Sequence, residues 1–246
     1  MNIRITKNKR FLNSIIFIIP VLVYVNTIPN EYALDDSIVI TENIYVQQGM
    51  KGLDDIFSNE SFTGFFKKKK DLVAGGRYRP LSIATFAIEN ALWDNNPHLS
   101  HLINILLYGI LCLVLFQSLI LLFRYFRFEQ HDKMILPLLI TMLFAVHPVH
   151  TEVVANIKGR DEILALLFAL LAFVYFLRYM HTKKILNIIF SAAFLFTGLL
   201  SKENAVLAIG MCILLIVIDN RKQEYLKSIL PVISLIIITG VYLIIR

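Results

Sequence analysis

Long apolar runs separated by short polar stretches dominate this chain. The runs cover 11–28, 99–123, 134–149, 163–180, 185–200, 204–218 and 228–245. A bilayer core needs about 20 mostly apolar residues per helix, within about 17–25. The pattern therefore predicts an all-α polytopic membrane protein with about seven transmembrane helices, three of them short. Ser201 to Asn204 separate two of the short runs, and this turn is expected to dip into the membrane. The first run has a basic flank, Arg4 to Arg10, with no small-x-small cleavage site after Val25, so it is read as a retained signal anchor. Residues 81–93 are apolar with Glu89 embedded. They predict a helix lying at the membrane interface or packed on the bundle.

Composition agrees with the pattern. The chain is 57% hydrophobic and 17% charged, with mean hydropathy +0.67, against about 45–50% apolar and about 25% charged in soluble domains. Soluble, disordered, collagen-like and disulfide-framework classes are excluded. The two cysteines, Cys112 and Cys212, both sit inside apolar runs. A net charge of +6 here reports orientation and does not point to nucleic acid.

With the N-terminus placed in the cytoplasm, the inner side collects Arg4, Lys7, Lys9, Arg10, Arg124, Arg127, Lys133, Arg178, Lys183, Lys184, Arg221, Lys222 and Lys227. The short outer loops hold only Lys158, Arg160 and Lys202. Residues 1–10 are then a basic cytoplasmic terminus, and 11–246 a multi-span domain that includes a long first extracytoplasmic loop, 29–98. Of the 18 acidic residues, Glu129, Asp132, Asp219 and Glu224 fall inside and the others outside. Four histidines, 98, 101, 147 and 150, join them there. Ionisable groups gathered at one membrane face point to a site at that face.

Four constellations carry candidate chemistry. Asp35 and Asp36 follow the first span so closely that they stay near the headgroup plane. A carboxylate there can act as general base on a hydroxyl acceptor; neighbouring residues point different ways, so one would be the base and the other would orient it. His147-Pro148-Val149-His150-Thr151-Glu152 has side chains that suit a metal-free polar site or a zinc, although the spacing is not HExxH and Pro148 breaks the helix. Arg77, Arg79, Arg160 and Lys202 suit phosphate recognition, with solvated loop charges as the alternative. Asp161 and Glu162 open the fourth span, where the helix dipole favours acids. His101 and Asn104 fit capping or interhelical hydrogen bonding. The run Lys67 to Lys70 reads as a solvated turn or a patch for anionic lipid headgroups. The last run, VISLIIITGVYLIIR, reads as one that continues into a longer protein.

Asp35-Asp36 leading to Asn43, Tyr78-Arg79-Pro80-Leu81, Asn96-Pro97-His98 with His101 and Asn104, HPVHTEVVANIKGRDEILA at 147–165 and Leu200-Ser201-Lys202-Glu203-Asn204 occur in that order. Together they resemble the transmembrane and tetratricopeptide-repeat O-mannosyltransferases and their bacterial relatives. These belong to the C-type glycosyltransferase superfamily, cousins of the protein O-mannosyltransferases. The resemblance covers about residues 11–220, and HPVHTE followed by GR and an acid is its specific part. The family has more than seven spans, and many members add C-terminal repeats.

The resemblance implies a C-type glycosyltransferase fold and an inverting hexosyltransferase, with mannose favoured. It implies a polyprenyl-phosphate-linked sugar donor, and a protein Ser/Thr or glycan hydroxyl as acceptor, outside the cytoplasm. It maps the catalytic acid onto Asp35 and Asp36. Arg79, His147, His150, Glu152, Arg160, Asp161, Lys202 and Glu203 fall at the family's motif positions, as donor-phosphate or substrate groups. No cofactor is required, and the two histidines leave a divalent metal open. Membrane lipids are the surroundings. The Lys-, Ile- and Asn-rich composition suggests a bacterial inner membrane. The competing classes are a non-catalytic scaffold subunit and a lipid or solute transporter. A transporter would put ionisable groups at mid-membrane depth and break paired spans with Gly or Pro.

Overall fold

The computed structural model of the chain describes residues 9–68, 77–129, 132–219 and 222–246. Residues 1–8 of the basic terminus and Lys69 and Lys70 of the lysine run lie outside the described residues. Every described element is helical. The main helices are α1 (Lys9–Tyr24), α2 (Pro80–Trp93), α3 (Pro97–Tyr125), α4 (Asp132–Val146), α5 (Arg160–Thr182), α6 (Ile185–Ser201), α7 (Leu207–Ile218) and α8 (Lys222–Ile245).

Each expected apolar run falls in one of these helices, and the expected helix at 81–93 is α2. Among the described residues, length and composition support fewer of the expected spans, and three shorter apolar helices remain besides them. Three helical stretches, Arg10–Thr27, Pro97–Tyr125 and Ile157–Thr182, are long and apolar enough to cross a membrane. A fourth arises if Lys133–Val146 and Pro148–Ala155, bent by 50°, form one span. The bend has a covalent cause: Pro148 brings no N–H and forces His147 into extended backbone, φ −68° and ψ 127°. The 17 residues of α6, at about 1.5 Å each, reach about 25 Å, short of a hydrocarbon core of about 30 Å. The expected dip at 201–204 is a break between α6 and a 3-10 turn, Glu203–Val206.

α5 is the centre of the bundle and packs against α3, α6, α7 and α8. One of its faces enters a cluster with Phe116, Tyr108 and Ile16 of α3 and α1, through Ile163 and Leu167. Further along α5, Phe173, Phe176 and Leu177 enter a second cluster with Leu195, Leu199, Leu215 and Tyr242. Small residues let the backbones approach: Ser191 Oγ donates to the Ala172 carbonyl at 2.8 Å. A third, separate core is formed by Val39, Ile40, Val46 and Ile56 packed on Ile83, Phe86 and Ala87 of α2. Ile157 belongs to this core, so the turn before α5 joins this small core to the bundle.

Candidate active site

The acid pair stands at that meeting point, and its two members part. Asp36 is 2% exposed. Its Oδ2 accepts the Ala33 N–H and its Oδ1 the Lys158 N–H, both at 2.9 Å. Burial pushes its carboxyl above the ordinary range in spite of these two donors. The side chain of Asp35 is 54% exposed and its Oδ2 accepts from Lys158 Nζ at 2.7 Å. That hydrogen bond, reinforced by the ammonium charge, holds its carboxyl below the ordinary range. Asp36 therefore staples the first loop to the 157–159 turn, and Asp35 is the carboxylate that meets solvent.

The turn itself depends on glycine. A Cβ on Gly159 would stand 2.2 Å from the Val153 carbonyl oxygen, and Asn156 Oδ1 accepts a second contact from the Lys158 N–H at 3.1 Å.

Arg160, the next residue, points the other way, into the protein. It is 0% exposed. Its Nε donates to Asn104 Oδ1 at 2.7 Å, and Nη atoms donate to Thr85 Oγ1 and the Ser100 carbonyl, each at 3.1 Å. A short contact joins Nη1 to Glu89 Oε1, and the guanidinium lies 4.3 Å from the Phe86 ring centroid. Glu89 also accepts from Ser100 Oγ at 2.6 Å, and Asn104 donates to the carbonyls of Asn156 and Ile157. Arg160 thus locks α2, α3 and the start of α5 together, in a place no ligand reaches.

The remaining charged groups form an ion-pair lattice over the start of α5. Arg79 caps the entry to α2, its N–H held by Ser61 Oγ at 2.9 Å. Its guanidinium donates to Asp161 at 2.8 Å and to both oxygens of Glu203, at 2.8 and 3.2 Å. Burial opposes this charge, but the two carboxylates prevail and raise the Arg79 pKa. Lys202 Nζ approaches Asp161 at 3.6 Å and makes a short contact with Glu162. Beside the lattice lies a small, solvent-open cleft lined by Arg77, Arg79, Lys158 and Asp161 with Phe62 and Phe86. Arg77, Arg79 and Lys158 bring positive charge to it, Arg79 and Lys158 being paired with Asp161, Glu203 and Asp35, and the two rings give it an apolar wall.

Asp35, Asp36, Arg79, Asp161, Lys202 and Glu203, far apart in the chain, are thus brought together around the 157–161 segment, with Arg160 behind it. His147, His150 and Glu152 make other contacts. His147 Nδ1 accepts the Val149 N–H at 3.2 Å, His150 packs on the rings of Phe144 and Tyr108, and Glu152 is exposed. Among the described residues, no group of three or more His, Cys, Asp and Glu side chains is arranged to hold a metal ion. Two members of the site escaped sequence reasoning. Lys158 counted only as a loop charge, because nothing in the sequence links it to an aspartate 123 positions away. Glu89 stood out as a lone acid in an apolar helix, and that was the available signal for a buried ion pair.

Comparison with known proteins finds similar chains among protein O-mannosyl-transferases. The chain is 30% identical over 220 residues to human protein O-mannosyl-transferase TMTC1, covering 82% of this chain and 23% of that protein. It is 32% identical over 162 residues to mouse protein O-mannosyl-transferase TMTC4, covering 63% and 21%. It is 28% identical over 212 residues to the Caenorhabditis elegans protein O-mannosyl-transferase F38B6.6, covering 84% and 28%. The chain spans about a quarter of the length of these relatives. No family model matches it, and no solved structure matches it.

Proposed function

Because the chain belongs to the transmembrane and tetratricopeptide-repeat O-mannosyltransferase family, we propose that it forms the catalytic part of a membrane enzyme that transfers mannose from a polyprenyl-phosphate donor to a Ser or Thr hydroxyl. The site lies at the extracytoplasmic face, with the N-terminus in the cytoplasm. The observation that carries this reading is the solvent-facing Asp35 carboxylate beside a cleft lined by Arg77, Arg79 and Lys158.

Asp35 accepts the proton of the acceptor hydroxyl. The hydroxyl oxygen forms the new bond to the anomeric carbon from the face opposite the phosphate. The C1–O bond to phosphate breaks, its electron pair leaves with the lipid phosphate, and the configuration inverts. Cations at the cleft offset the negative charge that develops on the leaving phosphate, a contribution that often dominates catalysis. Arg79 is the phosphate ligand best placed for two parallel hydrogen bonds, and Lys202 adds a point charge. Asp161 and Glu203 hold Arg79 in position until the donor arrives. Asp36 and Arg160 are positioning residues that keep the 157–161 turn in register. His150 and Glu152 orient the sugar or the acceptor from the neighbouring turn.

The test is transfer of radiolabelled mannose from polyprenyl-phosphate-mannose to a Ser/Thr peptide, in membranes holding the full natural protein. Asp35→Asn should lose transfer at unchanged protein level. A wild-type protein that transfers no sugar, or an Asp35→Asn variant as active as wild type, would refute the assignment.

A further inference from the structure

Lys158 touches both members of the acid pair by different atoms, and it also lines the cleft. Its N–H is pinned between Asp36 Oδ1 at 2.9 Å and Asn156 Oδ1 at 3.1 Å. Its ammonium is bound to Asp35 Oδ2 at 2.7 Å. Its side chain is one wall of the space shared by Arg77 and Arg79. The backbone is therefore a fixed pivot, and the flexible four-carbon stem swings from it.

As it stands, this pairing opposes catalysis. An ammonium on Asp35 occupies one of the oxygens that must take the acceptor proton, and it weakens the carboxylate as a base. A phosphate entering the cleft changes the balance, because it offers the ammonium a stronger anionic partner close by. We propose that Lys158 couples donor binding to acceptor activation: the donor phosphate draws its ammonium away from Asp35, which is thereby freed to accept the hydroxyl proton. This rests on the transferase reading above.

The step balances without any further reactant. The Lys158 ammonium keeps its three protons and exchanges one carboxylate acceptor for a phosphate oxygen. Asp35 then takes the hydroxyl proton as the acceptor oxygen bonds to the anomeric carbon, and the C1–O electron pair leaves on the phosphate that Lys158 now holds. The device also has a protective use, since Asp35 stays a poor base while the cleft is empty and water finds no activated partner there.

Among the described residues, the charged groups around Asp35 are few. Lys158 is the nearest, and Arg77 adds a smaller effect of the same sign. Asp36 turns inward, where His101 and Arg160 act on it. The pH dependence at issue is thus set mainly by Lys158. A cation in hydrogen-bond contact lowers the pKa of a carboxylate, and it does so less strongly at a half-exposed group such as Asp35. Before the donor binds, Asp35 remains ionised to lower pH than an ordinary carboxylate. After the donor has taken the ammonium, it protonates at higher pH.

The experiment measures the acid limbs of kcat and of kcat/KM for polyprenyl-phosphate-mannose at saturating peptide. It uses the full natural protein as wild type, Lys158→Met and Lys158→Arg. In wild type the kcat limb should lie about one pH unit above the kcat/KM limb. In Lys158→Met both limbs should coincide at the upper position, with donor KM raised about tenfold. Lys158→Arg should restore the gap. Coincident limbs in wild type, or a gap that survives in Lys158→Met, would overturn the coupling while leaving the transferase reading intact. Should Lys158→Met fail to fold, the wild-type gap and the arginine variant decide the matter. A wild type without mannose transfer would overturn both.

Discussion

Replacing Glu89 by glutamine removes the counter-charge from a guanidinium that has no exposed surface, while leaving the shape of the side chain almost unchanged. Arg160 would keep Asn104, Thr85 and the Ser100 carbonyl as acceptors, but its positive charge would stand in the protein without its contacting carboxylate. Removing one partner of a buried pair costs about 3–5 kcal/mol. For a chain of this size each kcal/mol moves the melting temperature by about 2–4 °C, so the expected fall is about 6–20 °C, read by thermal unfolding of detergent-solubilised protein. The double change Glu89→Leu with Arg160→Met removes both charges together and should recover most of the loss, because a well-packed apolar pair replaces the ion pair at little net cost. The same double variant separates positioning from ligand binding. If Arg160 acts only by locking α2, α3 and α5, donor KM changes far less than in an Arg79 variant. Two results would refute this account: a Glu89→Gln protein that melts within about 2 °C of wild type, or a folded double variant whose donor KM rises as steeply as that of Arg79→Lys.

Further outcomes follow from the same geometry. Arg79→Lys keeps the charge but loses the fork that spans Asp161 and Glu203, and should raise donor KM about tenfold or more with a smaller effect on stability; steady-state kinetics at varied donor check it. Gly159→Ala places a Cβ against the Val153 carbonyl oxygen at 2.2 Å, so the turn must shift. Both thermal stability, by about 1–3 kcal/mol, and transfer activity should fall, as melting and a mannose-transfer assay would show. Asp36→Asn leaves one of two buried backbone N–H donors without its carboxylate acceptor. It should destabilise by about 1–3 kcal/mol and free the first loop to limited proteolysis, in contrast to Asp35→Asn, which should melt like wild type.

The membrane class and the helical content were legible in the sequence, because the length of an apolar run is a local property and lipid leaves few ways to satisfy a backbone. So were α2 and the break at Pro148; the charged groups of GRDE and SKEN do meet, whereas the HPVHTE side chains make other contacts. The span count was less legible: run length alone credits seven helices, and among the described residues three, or four with the bent pair, are long and apolar enough to cross a membrane. Composition along the chain says that a segment prefers lipid, and it does not say how far a helix reaches before its neighbours end it.

Which charged residue faces solvent was decided by the tertiary structure. Asp35 and Asp36 are chemically identical neighbours, and only the 157–159 turn, arriving from the far side of two helices, gives one a buried pair of N–H donors and the other an ammonium at the surface. Arg160 and Arg79 read alike as loop cations, yet Glu89, Asn104 and Phe86 enclose the first, while Asp161 and Glu203 hold the second at the cleft. Residue type fixes what charge a side chain carries. Its solvation, its partner and hence its chemistry come from contacts made across 56 to 124 residues of chain, which no local pattern encodes.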